Sequence, residues 1–288
     1  MTNISFWKMH GAGNDFFVAD PDVNTYENHD WSRLAVEMCN RHLGVGADGI
    51  ILVLPSEIAD MRMQIFNADG SESENCVNGI RCFVKYCLDQ KLCKGIENSL
   101  TVETLSGIVD TQSTLGTDRL VTQVRLKLAE PDFNPLNVGV KTDLKPPILD
   151  MHIEIDDVDM PVNTDLVSMG NPHAINFIET NVSDYPLSSI GPLVENNQLF
   201  ENRTNFEIVN VIDRSNLTVR VWERGVGETL ACGSGACAVV AAAHTRDFVD
   251  NLVNVKLPGG TLNIEWDGEG AIILTGPVTK VFEGGWKI

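Results

Sequence analysis

Two cysteines stand in the same frame. The stretches "ESENCVNG" (72–79) and "ETLACGSG" (228–235) both read Glu-x-x-x-Cys-x-x-Gly, so that Glu72, Cys76 and Gly79 recur 156 residues later as Glu228, Cys232 and Gly235. Each cysteine precedes a segment of helical character. A helix N-terminus carries unpaired N–H groups and partial positive charge. It favours a thiolate, and its N–H groups can hold a carboxylate. If the two halves face each other, a small carboxylate ligand sits between Cys76 and Cys232, with one sulfur on each side of its α-carbon. One thiolate removes the α-proton and the opposite thiol delivers a proton to the other face, which is the chemistry of a racemase or epimerase. Helix-end N–H groups would stabilise the charge growing on the carboxylate. A coupled thiol pair can share the opposite protonation states that the acid and the base need.

The other cysteines (Cys39, Cys82, Cys87, Cys93 and Cys237) read as packing residues. The Cys232–Cys237 spacing is not that of a C-x-x-C metal or redox pair, so no metal is expected. Seven cysteines, an odd number, with no apolar run of signal-peptide length at the start, predict reduced thiols in the cytoplasm. The longest apolar stretch, 236–243, is too short for a bilayer, so no membrane partner is expected. A formal charge of −19 argues against nucleic acid. "GVGADG" (44–49) satisfies G-x-G-x-x-G, but it precedes a strand instead of joining strand to helix, which argues against dinucleotide binding.

These cysteines must be positioned by a repeated framework. "IFNADGSESENCVNGI" (65–80) lies against "VWERGVGETLACGSGA" (221–236), and "GNDFFV" (13–18) against "GNPHAI" (170–175). Residues 49–52 match 205–208, which suggests an ancient duplication. Strand-like runs are expected at 49–54, 61–66, 100–104, 107–112, 119–128, 152–156, 173–178, 206–212, 216–222, 261–265 and 271–275. Helices are expected at 31–42, 78–90, 187–195 and 234–247. Ile80, Phe83, Val84, Cys87 and Leu88 form a helical stripe, and "SGACAVVAAAH" is small and apolar all round, which suits a helix enclosed by sheet. The expected class is α+β: two pseudo-symmetric domains, each a mainly antiparallel sheet wrapped around a central helix. The domains expected are 1–131, with 276–288 returning to it, and 132–275; residues 129–135 are the linker candidate.

The segments "KMHGAGNDF", "GVGADG", "FNADGSESENC", "GNPHAI", "RTNFEIV" and "VWERGVGETLACGSGACA" resemble those of diaminopimelate epimerases, and the resemblance covers essentially the whole chain. It implies interconversion of L,L- and meso-diaminopimelate in lysine and peptidoglycan precursor synthesis. No pyridoxal phosphate or other cofactor is implied, and a homodimer is. Carried over by motif, Cys76 and Cys232 are the acid–base thiols, the first thiolate working on the L,L isomer. Asn14, Asn67, Asn171, Asn205, Glu223 and Arg224 are the implied substrate-binding set. The backbone N–H groups of Val77, Asn78, Gly233 and Ser234 are the expected carboxylate donors, and His173 is expected to orient the site. Such a frame suits a small diamino-dicarboxylate: Arg224 can fork onto a carboxylate and Glu223 can take an ammonium. Val77 departs from the family pattern, which has glycine there; valine keeps the N–H but resists positive φ. Two other functions fit the same residues: racemisation of a different amino acid, or a non-catalytic or redox-switched relative.

Overall fold

A computed structural model describes residues 3–74, 76–93, 98–155 and 161–288. The strand expected at 152–156 therefore ends, at Asp156, outside the described residues. The chain forms two compact units, residues 1–126 with 275–288, and residues 127–274. No helix among the described residues is long and apolar enough to cross a membrane.

In the first unit the strands are β1 (Asn3–Gly11), β2 (Asn14–Ala19), β3 (Gly49–Leu54), β4 (Met61–Asn67), β5 (Glu72–Ser73), β6 (Ser99–Thr104), β7 (Gly107–Leu115) and β8 (Val121–Lys127), the last running into the boundary. Its helices are α1 (Val23–Glu27), α2 (Trp31–Cys39) and α3 (Val77–Asp89). In the second, α4 (Pro135–Val138), α5 (Leu187–Glu195) and α6 (Gly233–Thr245) accompany β9 (Met151–Ile153), β10 (Val162–Ser168), β11 (Pro172–Phe177), β12 (Asn205–Asp213), β13 (Asn216–Glu223), β14 (Gly227–Thr229), β15 (Leu252–Leu257) and β16 (Gly260–Glu265), and β17 (Ile273–Pro277) crosses the boundary back to the first. The final strand, β18 (Thr279–Lys287), runs antiparallel to β1, pairing Ile4 with Trp286. Most ladders are antiparallel; β2–β3 and β4–β6 are parallel in the first unit, β11–β12 and β13–β15 in the second.

The registers repeat. Phe16 pairs with Gly49 across β2–β3, and His173 with Asn205 across β11–β12. Ile65 pairs with Ser73, and Val221 with Thr229, both partners 156 residues on. The helices α3 and α6 are each 13 residues long and start 156 residues apart, at Val77 and Gly233. The duplication read from three sparse sequence segments is thus a repeat of strand pairing and helix placement.

In both units the sheet encloses a helix. α3 packs against β1, β2, β3, β4, β6 and β7. Even Arg81 and Lys85 on it are buried. Arg81 Nε donates to Pro277 O at 3.2 Å. Lys85 Nζ bonds Asp89 at 2.7 Å and Val121 O at 2.6 Å, because a buried cation must be matched. α6 needs no such partners, since its residues Ala236–Ala243 are small, apolar and buried. β3 is apolar on both faces because both are covered: Ile50, Leu52 and Leu54 join the α2 core, while Ile51 meets α3. α2 was expected to reach residue 42 but stops at Cys39. The Asn40 side chain accepts from His42 N at 2.9 Å and Leu43 N at 2.8 Å, and these local bonds turn the chain. Residues 129–135 are held in the second unit, where Asp132 and Ser168 form a bridge.

Candidate active site

Cys76 and Cys232 are the N-cap residues of α3 and α6. Both have extended backbone (φ −147, ψ 105 and φ −116, ψ 117). Each sulfur accepts from the N–H three residues on, Gly79 or Gly235, at 3.4 Å. Each carbonyl accepts the first helical bond, from Ile80 N at 2.8 Å or Ala236 N at 3.0 Å. A cysteine thus fills the capping role usual for Ser, Thr or Asp. The N–H groups of Val77, Asn78, Gly233 and Ser234 fall in the first turn, where a helix offers no acceptor of its own. Val77 is not among the non-glycine residues with positive φ, so the helix start asks no left-handed geometry of the valine.

Around Cys76, Asn14 Oδ1 lies 3.7 Å from the sulfur and accepts from Asn78 Nδ2 at 3.2 Å. Behind it, Asn14 Nδ2 donates to Asp48 Oδ2 at 2.6 Å. Arg41 donates to Asp48 Oδ1 at 2.8 Å and to Asp15 Oδ1 at 2.7 Å, and Lys8 pairs with Asp15 at 2.6 Å. Burial would raise the Asp15 carboxyl, but hydrogen bonds from Arg41 and Lys8 outweigh it and hold Asp15 below its ordinary value. Asn67 spans its own turn, its Nδ2 donating to Ser71 Oγ at 3.0 Å.

Around Cys232, Ser234 Oγ lies 3.5 Å from the sulfur and accepts from Asn171 Nδ2 at 3.4 Å. Asn171 Oδ1 meets His173 Nε2 at 3.1 Å, and His173 Nδ1 meets Glu207 Oε1 at 2.7 Å. His173 and Glu207 are both fully buried. Glu223, on β13, accepts from Thr229 Oγ1. Asn205 is engaged at both ends of its amide, donating to Pro172 O at 2.8 Å and accepting from Arg224 N at 2.9 Å. The Arg224 guanidinium donates to Asn202 O at 3.1 Å.

The electrostatics of Cys232 depart from the simple helix-start expectation. Burial pushes its thiol well above the ordinary value, and the Glu223 and Glu207 carboxylates push it further; the Ser234 hydroxyl and the Gly235 N–H oppose this without prevailing. Burial likewise raises the Glu223 carboxyl. Cys39 and Cys82 are pushed up to about 12 by burial, as unreactive packing thiols should be.

Of the residues expected from sequence, Cys76, Asn14 and Asn78 come together in the first unit. Cys232, Ser234, Asn171, His173 and Glu223 come together in the second. Asn67, Asn205 and Arg224 hold turns at the ends of β4, β12 and β13. Asp48, Glu207 and Thr229 were not expected. Glu207 carried one legible signal, a lone charge in the apolar strand "NFEIV", where period-two alternation turns it to the face that packs on α6. An added Cβ on Gly235 of that helix would lie 2.6 Å from Glu207 Oε1.

The diaminopimelate epimerase family model matches residues 6–124 and 166–281. A curated diaminopimelate epimerase of Methanococcus maripaludis is 44% identical over 283 residues, covering 98% of this chain and 99% of the relative. That of Acetivibrio thermocellus is 45% identical over 282 residues, covering 98% of each. Among solved structures, a phenazine biosynthesis protein of the PhzF family from Bacillus anthracis superposes with a TM-score of 0.70 at 20% identity, over all of both chains. A probable proline racemase from Agrobacterium radiobacter does so with a TM-score of 0.71 at 16% identity, over 99% of this chain and 93% of its own. Those two likenesses are of fold.

Proposed function

The chain belongs to the diaminopimelate epimerase family, and on that footing we infer that it interconverts L,L- and meso-diaminopimelate with Cys76 and Cys232 as the proton-transfer pair. Inversion at a carbon bearing one hydrogen needs a base on one face and an acid on the other. The observation that carries this reading is a cysteine at the N-cap of a sheet-enclosed helix, once in each unit and in one register. Cys232, which burial keeps protonated, suits the proton donor for the L,L isomer, with Cys76 as the base. In the reverse direction its thiolate, opposed by two carboxylates, is a strong base, as abstraction of a weakly acidic α-proton requires.

The first-turn N–H groups of Val77, Asn78, Gly233 and Ser234 are assigned to the α-carboxylate, whose charge grows as the proton leaves. Asn14, Asn67, Asn171, Asn205, Glu223 and Arg224 are assigned to the remaining ammonium and carboxylate groups, and His173 to orienting Asn171. A plain amino acid leaves part of this polar set unpaired and is bound less well. The family resemblance further implies a cytoplasmic homodimer and a place in lysine and peptidoglycan precursor synthesis.

α-Proton exchange in deuterated water, run on a panel of amino acids with the reduced protein, tests the assignment. Diaminopimelate is expected to exchange fastest. Exchange of another amino acid with none of diaminopimelate would replace this function by a racemase of that amino acid. No exchange of any substrate would leave a binding protein.

A further inference from the structure

We propose that Asp48, the acid of the "GVGADG" stretch, is a positioning residue for Cys76: it locks the Asn14 amide with its carbonyl oxygen toward the Cys76 sulfur and thereby raises the proton affinity of that thiol, which makes its thiolate a stronger base. The orientation follows from chemistry. Of the two amide atoms of Asn14, one lies 2.6 Å from Asp48 Oδ2. A carboxylate only accepts hydrogen bonds, so that atom is the NH2 group and the carbonyl oxygen must face the other way, 3.7 Å from Cys76 Sγ. Asp48 itself cannot turn. Its Oδ1 takes the Arg41 guanidinium at 2.8 Å, and its Oδ2 also takes the Asp15 N–H at 3.0 Å. The carbonyl is held from the second side by Asn78 Nδ2 at 3.2 Å.

An amide oxygen beside sulfur accepts from a thiol and repels a thiolate. The Gly79 N–H at 3.4 Å and the helix start favour the thiolate, and the Asn14 oxygen opposes them. The repeated position in the second unit is built differently. Asn171 is backed by an imidazole, His173 Nε2 at 3.1 Å, which donates or accepts according to its proton. Thr204, not a carboxylate, stands 156 residues after Asp48. Asn14 is therefore backed by a group that only accepts, whereas Asn171 is backed by a ring nitrogen and donates to Ser234 Oγ.

Among the described residues, Glu74 lies two residues before Cys76, Glu72 on β5 accepts from Gln64, and His10 of β1 accepts from Gly13 N. Asp15, Lys8 and Arg41 form the ion-pair cluster behind Asn14, and Arg81 lies one turn along α3, with Lys85 and Asp89 beyond it. β3 brings no ionisable group. Arg62 of β4 lies toward the opposite end of its strand from Asn67; β6 carries Glu103, bonded to Ser56, and β7 carries Asp110.

The role of Asp48 rests on the assignment of Cys76 as an acid–base thiol, but its test needs no substrate, so the two can fail separately. The pH dependence of iodoacetamide alkylation is read for Cys76 and Cys232 by peptide mass spectrometry in wild-type, Asp48→Asn and Asp15→Asn proteins. Asp48→Asn releases the amide, and below the midpoint Cys76 is expected to react about 3–10-fold faster, a shift of up to roughly one pH unit, with Cys232 unchanged. Asp15→Asn removes a carboxylate from the same Arg41 cluster without releasing Asn14, and is expected to change Cys76 less than twofold. An unchanged Cys76 in Asp48→Asn, an equal response in Asp15→Asn, or a parallel change in Cys232 would overturn the proposal. Should Asp48→Asn not fold, side-chain amide exchange in the wild-type protein gives the answer. The Asn14 NH2 stays protected as Cys76 ionises if Asp48 holds it, and loses protection at the Cys76 midpoint if it does not.

Discussion

Glu223 is a half-buried acid and Cys232 a buried thiol, and the charge of the first bears on the proton of the second. Burial, then the Glu223 and Glu207 charges, raise the thiol. Exchanging Glu223 for glutamine removes one of those charges at nearly constant volume. Cys232 should then alkylate on the order of 3–10-fold faster at neutral pH, and epimerisation should fall under the proposed assignment of Glu223 to the substrate ammonium. The sign fixes the pH window. Glu223 repels the thiolate only when ionised, and its own pKa is raised, so the difference between wild type and Glu223→Gln should shrink as pH falls through that raised value. Equal Cys232 reactivity in the two proteins at neutral pH would contradict the linkage. The sequence pointed to the cysteines because a duplicated frame marks them twice. It could not point to Asp48, whose place behind Asn14 depends on which way an amide faces across 34 residues of chain. His173 was legible from its motif, but its partner Glu207 was not, because an acid in a strand gives no hint of what it meets inside.

The two capped helices differ in what they pack against, and this makes them differently tolerant. An added methyl on Gly79 would lie 3.0 Å from Ile51 Cδ1, an apolar tip with some freedom; on Gly235 it would lie 2.6 Å from Glu207 Oε1, which His173 pins. Gly235→Ala should therefore lower stability by about 1–3 kcal/mol, as overpacking of a filled core does, and Gly79→Ala by less, with thermal melts of both variants as the measure. An equal loss would mean that Glu207 relaxes freely. The main elements were readable where one physical signal dominated: α6 from its all-round small apolar surface, β3 from its doubly covered run, α3 from its stripe. β1, β2, β5, β10, β14, β15 and β18 escaped. β18, "TKVFEGGWK", mixes charge and glycine because it is largely exposed and takes its order from pairing with β1. β10, "VNTDLVS", buries Asp165, whose cost is met by Arg246 at 2.5 Å, and no local pattern announces that partner.

Across the whole molecule, one plan is used twice and specialised once. Strand registers, helix lengths and capping cysteines repeat, whereas the groups behind the cysteines diverge: an ion-pair cluster behind Asn14, a buried imidazole–carboxylate pair behind Asn171. Duplication followed by such divergence suits a reaction that needs two like groups in opposite protonation states. The repeat was visible in the sequence as a nearly constant offset; the divergence was not, because it lies in contacts between residues far apart along the chain. The most direct measurement is epimerisation of L,L-diaminopimelate by the reduced wild-type protein, Cys76→Ala and Cys232→Ala, each shown to be folded. Loss of inversion in both single variants, with activity in the wild type, is the result predicted. Inversion at a wild-type rate in either variant would contradict a two-thiol reaction.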